Sequence, residues 1–185
     1  MVGWLLAIGV AIGCRDVLGI DDPTVVDCKV PTSYGLATAG QPSAQRTGSG
    51  SDEVIYSSAY LDASATPDIL EIDLLGNTGV FAGRPPSTGM YDLGGVQTDL
   101  TTCSVCVLLL ADLHFDAAGS GTYSATYLAT AGTLGIDALD TRFSAGLSDA
   151  TFVRVDLGSD DTSTPTSDGC TTAIDHIALA APLAP

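Results

Sequence analysis

Short apolar runs separated by turn residues constrain the fold of this chain more than any other feature. Ile69–Leu75 (ILEIDLL) alternates between apolar and acidic residues. Leu70, Ile72 and Leu74 should therefore face a core, while Glu71 and Asp73 point outward. No segment of twelve or more residues carries the 3.6-residue apolar period of an amphipathic helix. Similar candidate strands follow along the chain: Val54–Asp62, Val105–Leu113, Thr122–Thr130, Thr133–Leu139, Arg142–Ser148, Thr151–Leu157 and Ala173–Leu179. The pattern predicts an all-β fold.

Composition supports the same class. The chain has only two Glu and one Lys, so the straight side chains that favour surface helix are scarce. With 185 residues and 45% hydrophobic content, it is large enough for one domain with a real core. Many short strands joined by Gly-rich turns predict an antiparallel β-sandwich, of which the jelly roll is one form.

The charge of the chain is strongly one-sided. Six basic residues stand against 22 acidic ones, which gives a formal net charge of −16 at pH 7. Nucleic acid and anionic membrane surfaces are therefore excluded as expected partners. A self-repelling soluble surface and a calcium-binding surface both remain compatible with this charge.

The first thirteen residues form an uncharged apolar run, MVGWLLAIGVAIG, that ends at Cys14. A run of this length is too short to span a bilayer, where about 20 residues are needed. It has the length of the hydrophobic region of a secretory signal, and charge resumes at once with Arg15 and Asp16. The alternative is a buried N-terminal strand or helix with an incidental cysteine.

Val10–Cys14 (VAIGC) resembles the lipobox of bacterial lipoproteins, although Ala11 stands where Leu is commonest and no basic residue precedes the run. The resemblance implies that the Cys14 thiol receives a diacylglyceryl group and that residues 1–13 are cut away. Arg15 follows the cysteine in place of Asp, which by the family's sorting pattern favours the outer membrane. The membrane would then be a partner through the lipid anchor.

The rest of the chain divides into a lead-in and one domain. Residues 14–32 are interpreted as the lipidated tether and the approach to the domain, and residues 33–185 as a single β-sandwich domain. Within it, the Gly-, Ser- and Thr-rich segment 33–52 is expected to be a loop. The segments CSVCVLLLADL, TYLATAGTLGI and RFSAGLSDATFVRV resemble β-rich lipoproteins of myxobacterial type. That resemblance supports fold and location and implies nothing about activity.

Four cysteines follow Cys14, and four cysteines in an exported chain suggest two disulfides with three possible connectivities. The favoured pairing joins Cys28 to Cys170, near the two ends of the domain, and Cys103 to Cys106. The Cys103–Cys106 pair has the spacing of a redox motif, but such motifs generally begin a helix and this one runs into an apolar strand. Zinc is disfavoured because no second such pair follows.

An acidic segment offers the best candidate for a metal site. Residues 156–168 (DLGSDDTSTPTSD) contain Asp156, Asp160, Asp161 and Asp168 with hydroxyls between them, and calcium takes six to eight oxygen ligands. The spacing does not fit an EF-hand, so the other interpretation is a solvated hairpin tip.

Catalysis is not expected. His114 and His176 each lie near aspartates, but the chain has no G-x-S-x-G motif and no convincing nucleophile–base set. The expected function is a cell-envelope lipoprotein without a cofactor that binds a protein or glycan, or acts as a scaffold. The alternative is a calcium-stabilised or carbohydrate-binding β-sandwich module.

Overall fold

The computed structural model describes residues 26–117 and 120–185, and this part of the chain is built almost wholly from β-strands. The predicted signal segment 1–13 and Cys14 lie outside the described residues. The strands are β1 (Gly35–Leu36), β2 (Gly40–Thr47), β3 (Val54–Tyr60), β4 (Ile69–Leu75), β5 (Gly89–Asp92), β6 (Val105–Ala111), β7 (His114–Phe115), β8 (Gly121–Thr122), β9 (Ala125–Leu139), β10 (Arg142–Leu157), β11 (Ser163–Pro165) and β12 (Thr171–Ala184). Short 3₁₀ turns cover Gly50–Asp52, Gly79–Phe81 and Gly95–Thr98.

Ten of these strands form one sheet that closes on itself. Neighbours pair in the order β2, β3, β4, β6, β9, β10 and β12, and β12 returns to β2. Every pairing in this ring is antiparallel except the last one, which is parallel. β5 joins β9, β11 joins β10 and β1 joins β12, while β7 and β8 form a separate hairpin.

The parallel seam between the start and the end of the domain closes the ring. Gly35 pairs with Ile174 in β12, and Ala44 pairs with Leu183 further along the same two segments. The Tyr34 amide donates to the Ala173 carbonyl at 2.9 Å, which extends the seam toward the disulfide cysteines. The first described residues are thereby held against the last strand.

The ring encloses one hydrophobic core. Its largest fully buried side chains are Tyr127, Phe81, Phe143 and Phe152, and the alternating residues of β4 join them as the sequence predicted. The all-β class is confirmed. The predicted sandwich would pack two sheets together, whereas here the strands that surround the core are joined by hydrogen bonds into a single closed sheet.

The long strands β9 and β10 differ from the sequence prediction, which divided each of them in two. Ala131-Gly132 and Asp149-Ala150 were expected to separate strands, but the register between β9 and β10 shifts there and both strands continue. Gly132 has φ +113°, and a Cβ at this position would lie 2.7 Å from Ala150 Cα. The glycine therefore marks a close backbone approach at a bulge and not a turn.

The predicted loop 33–52 is also corrected by the structure, because it contains β1 and β2. Gly40–Thr47 (GQPSAQRT) has a single buried side chain, Ala44, so it lacks the apolar alternation of a strand. Its strand conformation comes from pairing with β3 along one edge and with β12 along the other.

Candidate functional site

Polar side chains lie in register on the outer face of β2, β3 and β4. One row runs from Ser43 through Ser58 to Glu71, each residue directly opposite the next. Side chains directly opposite each other across antiparallel strands have Cβ atoms about 4.5–5.5 Å apart. The three strands therefore bring together groups that are up to 28 residues apart in the sequence.

A second row runs beside the first. Gln45 pairs with Tyr56, and Tyr56 pairs with Asp73. Beyond Gln45, the row continues to Ala184 at the end of β12. The ring closure thus places the end of a fourth strand, β12, beside this polar surface.

The two rows border an open depression of about 420 Å³, which we call the outer groove. This volume lies within the range of about 300–1,000 Å³ that is usual for small-molecule sites. Its lining includes an aromatic ring, an amide, two hydroxyls and a carboxyl group, supplied by Tyr56, Gln45, Ser43, Ser58 and Glu71. The Ser43 and Ser58 hydroxyls are hydrogen-bonded at 2.9 Å.

Glu71 and Asp73 form a coupled acid pair along the edge of the outer groove. Burial raises the pKa of Asp73 to about 8, and repulsion from the Glu71 carboxylate adds to this shift. Burial also raises the pKa of Glu71. Asp73 Oδ1 is buried and accepts no hydrogen bond within the described part of the chain. At neutral pH Asp73 therefore keeps its proton.

The burial of the acid pair has its cause in the next strand. Asp73 lies opposite Cys106, and Glu71 lies opposite Leu108, both in β6. These β6 residues belong to a second apolar cluster on the outer face, which also contains Cys103, Leu128 and Val155. The continuous apolar run around residue 108 is thus buried on both faces, as predicted, and it removes water from one side of the acid pair.

The structure places the four predicted disulfide cysteines in bonded pairs. Cys28 joins Cys170, and Cys103 joins Cys106, which is the pairing the sequence favoured. The first bond joins the two segments of the parallel seam at the end where both begin, and there the Tyr127 hydroxyl also donates to the Cys28 carbonyl. The second bond holds the loop before β6 against the outer apolar cluster. Both positions are structural.

A buried carboxylate supports the same end of the domain. Asp68 is 6% exposed and accepts hydrogen bonds from the Tyr34 hydroxyl and, at 2.9 Å, from the Asp112 amide. Burial raises the pKa of Asp68, and burial together with the Asp68 hydrogen bond raises the pKa of Tyr34. The hydrogen bonds of Asp68 order the chain around the domain's first described residues, which is a structural role.

The four aspartates of the predicted calcium site are not brought together. Asp168 accepts hydrogen bonds from the Thr166 hydroxyl at 2.6 Å and from the Cys170 amide at 2.9 Å. Asp160 accepts one from the Thr162 hydroxyl at 2.7 Å, whereas Asp156 lies within β10 and Asp161 in a turn. The Thr166 and Cys170 bonds lower the pKa of Asp168.

The other possible metal-ligating side chains in the described part of the chain are not grouped either. Within residues 26–117 and 120–185, no three His, Cys, Asp or Glu side chains are grouped so that they could hold a metal ion. The acidic segment 156–168 therefore has the geometry of a hairpin tip whose carboxylates satisfy nearby backbone and hydroxyl groups.

The two histidines lie apart from the outer groove. His176 Nδ1 is 3.2 Å from Ser148 Oγ, on the exposed surface of β12 and β10. Among the described residues no carboxylate is hydrogen-bonded to His176, so the pair lacks the third member of a catalytic triad. His114 is exposed in β7, opposite Thr122.

Membrane attachment has to be considered apart from the domain. Cys14, the predicted lipidation residue, precedes the described part of the chain. Among the described residues, no helix has the length and apolarity needed to cross a bilayer.

Comparisons with other proteins supply no further assignment. No protein-family model, no curated protein and no solved structure matches the chain. The residues of the outer groove are therefore interpreted from their own chemistry.

Sequence reasoning did not identify the outer groove. It placed Glu71 and Asp73 on the outer face, but it assigned Ser43 and Gln45 to a loop. One signal was available in the sequence. The apolar run Val105–Ala111 is buried on both faces, and outward-facing acids such as Glu71 and Asp73 on a strand beside it are expected to lose part of their hydration.

Proposed function

We propose that this chain is an exported, lipid-anchored protein of the cell envelope, and that its closed β-domain is a non-enzymatic binding module. Cysteine usage carries the proposal. Four of the five cysteines are joined in two disulfides, which are typical of oxidising, extracytoplasmic compartments. Cys14 is the one cysteine outside these pairs, and it directly follows the apolar run, where a lipobox cysteine is expected.

The arrangement of the domain supports binding over catalysis. Polar groups and one aromatic ring converge on the outer groove, while the hydroxyl–imidazole contact of Ser148 and His176 lies elsewhere on an exposed surface. The net charge of −16 favours a neutral or cationic ligand over an anionic one. The outer groove is the surface that we assign to binding.

Membrane fractionation of the full chain and its Cys14→Ser variant tests the anchor. The natural chain should lose residues 1–13, gain acyl mass and fractionate with membranes, and it should lack tryptophan emission because Trp4 is its only tryptophan. The Cys14→Ser variant should remain unprocessed or become soluble. Processing before residue 14 and membrane attachment in that variant would refute the proposal.

A double variant, Cys103→Ser with Cys106→Ser, is the matched control. It removes two cysteines of the domain and one disulfide but leaves VAIGC intact. It should still be processed and lipidated. Its loss from the membrane fraction would mean that folding, and not Cys14, controls the location.

A further inference from the structure

We infer that the outer groove binds a neutral oligosaccharide, an assignment that rests on the proposed binding function and names its ligand class. The groove combines a half-exposed aromatic ring, a carboxyl group, an amide and two hydroxyls on adjacent strands. A pyranose ring has an apolar face of C–H groups and a rim of hydroxyls. The inference depends on the match between these two sets of groups.

Tyr56 supplies the apolar contact. Its side chain is outward-facing and 44% exposed, between Gln45 and Asp73 in the second row. Aromatic side chains bury a large area at low conformational entropy cost, and a tyrosine also keeps a polar hydroxyl for solvent or ligand. A sugar ring lying on Tyr56 would therefore lose water from its C–H face.

Glu71 and the serine pair supply the hydrogen bonds. A carboxylate can accept bonds from two neighbouring hydroxyls, and charge-assisted bonds of this kind are stronger than neutral ones. The Ser43 and Ser58 hydroxyls use one hydrogen bond between them, at 2.9 Å, and keep both acceptor capacity and one donor. Gln45 contributes a further donor and acceptor. The groove can thus both donate hydrogen bonds to sugar hydroxyls and accept hydrogen bonds from them.

The charge of the groove favours a neutral ligand over an anionic or a cationic one. None of the described residues that line the groove is basic, so the site has nothing to neutralise an anionic ligand. Arg46, which follows Gln45, turns away from the groove: its guanidinium donates to the Leu139 carbonyl and lies 3.4 Å from Glu53. The two acids attract a cation less than two ionised carboxylates would, because Asp73 keeps its proton at neutral pH. A neutral polyol fits these conditions best.

The placement of the groove favours binding without rearrangement. Its contributing residues lie on β2, β3 and β4 within a closed hydrogen-bonded ring. Groups held on strands lose little freedom when a ligand binds, so a shallow site of this kind can still be selective.

Calorimetry with three neutral hexasaccharides (maltohexaose, cellohexaose and chitohexaose) tests the inference. The full chain is extracted in a zwitterionic detergent, because a glycoside detergent would itself offer a sugar headgroup. At least one hexasaccharide should bind. Tyr56→Ala and Glu71→Gln should each weaken that binding at least tenfold, while Tyr56→Phe should retain it.

Tyr123→Ala is the matched control, since Tyr123 has nearly the same exposure, 45%, and does not line the groove. It should leave the affinity unchanged. Far-UV circular dichroism and thermal midpoints of all variants separate lost binding from lost folding, and Glu71→Gln keeps the test valid should Tyr56→Ala unfold.

Four results would overturn the inference: no binding of any hexasaccharide, equal affinity in Tyr56→Ala, equal loss in Tyr123→Ala, or spermidine binding that Glu71→Gln abolishes. The last result would assign the groove to cations. Membrane attachment through Cys14 is measured independently, so the anchor can be established even where the sugar assignment fails.

Discussion

Asp73→Asn is the substitution whose effect on stability follows most directly from the structure. The folded domain holds Asp73 with a pKa of about 8, against an ordinary value of 3.8, because the side chain is buried beside Glu71. Between these two pH values the folded state binds more protons than the unfolded state. The stability contributed by this group is therefore complete at low pH and declines as the pH rises toward 8.

The size of this decline can be worked from the same values. A full shift from 3.8 to about 8 would correspond to about 6 kcal/mol at 1.36 kcal/mol per pKa unit. Some solvent still reaches Asp73 at the edge of the outer groove, so water and relaxation reduce the effect, and we expect about 2 kcal/mol. An asparagine has nearly the same shape, carries no charge and can still donate to Glu71.

Urea unfolding followed by far-UV circular dichroism at pH 5, 6, 7, 8 and 9 measures the effect, with the disulfides intact. The variant's free energy of unfolding should exceed that of the natural protein by only a small amount at pH 5 and by about 2 kcal/mol at pH 8, because the natural protein loses this stability progressively between pH 3.8 and about 8. Asp137→Asn, at an exposed position of β9, is the control and should change neither value. Parallel pH profiles for the natural protein and Asp73→Asn would refute the reasoning.

Two further predictions concern the bulge and the acidic segment. Gly132→Ala should destabilise the domain by about 2 kcal/mol or more, because the added Cβ would meet Ala150 Cα at 2.7 Å. Gly83→Ala is the control: Gly83 has φ +72° and nothing within 4 Å of an added Cβ, so this variant should lose only about 1 kcal/mol. Equal losses of the two variants in urea unfolding would contradict the bulge explanation. Calcium at 1 mM should raise the thermal midpoint by less than about 2 °C, because the described residues group no three His, Cys, Asp or Glu side chains for a metal ion. A larger rise that is lost in the Asp160→Asn, Asp161→Asn double variant would establish a calcium site in segment 156–168.

Elements with their own apolar pattern were predictable from the sequence. Ile69–Leu75 was predicted with the bounds that β4 has, since alternation and burial agree from Leu70 to Leu74. Val105–Leu113 was predicted as a strand buried on both faces, and β6 is so. In both cases local sequence and tertiary packing favour the same structure.

Elements that depend on their neighbours were not predictable. β2 has one buried side chain and becomes a strand only because β3 and β12 supply hydrogen-bonding edges. The continuity of β9 through Gly132 depends on how closely β10 approaches, which a single sequence does not encode locally. Closure of the sheet depends on the parallel contact between segments about 139 residues apart, for which no local signal exists.

The outer groove combines features that the local sequence predicts with features that depend on neighbouring strands. The outward direction of Glu71 and Asp73 followed from alternation alone. Their perturbed pKa values required Cys106 and Leu108 beside them, and the groove itself required Ser43 and Gln45 on a strand that the sequence pattern did not indicate. Functional interpretation therefore needed the register of four strands.

Mass mapping of the membrane-extracted protein, digested without reduction, tests the central claim most directly. The account predicts one peptide pair joined through Cys28 and Cys170, a Cys103–Cys106 bond within one peptide, and an N-terminal peptide that begins at Cys14 and carries acyl mass. A retained N-terminal segment 1–13, an unmodified Cys14 or a disulfide from Cys14 to any domain cysteine would contradict it.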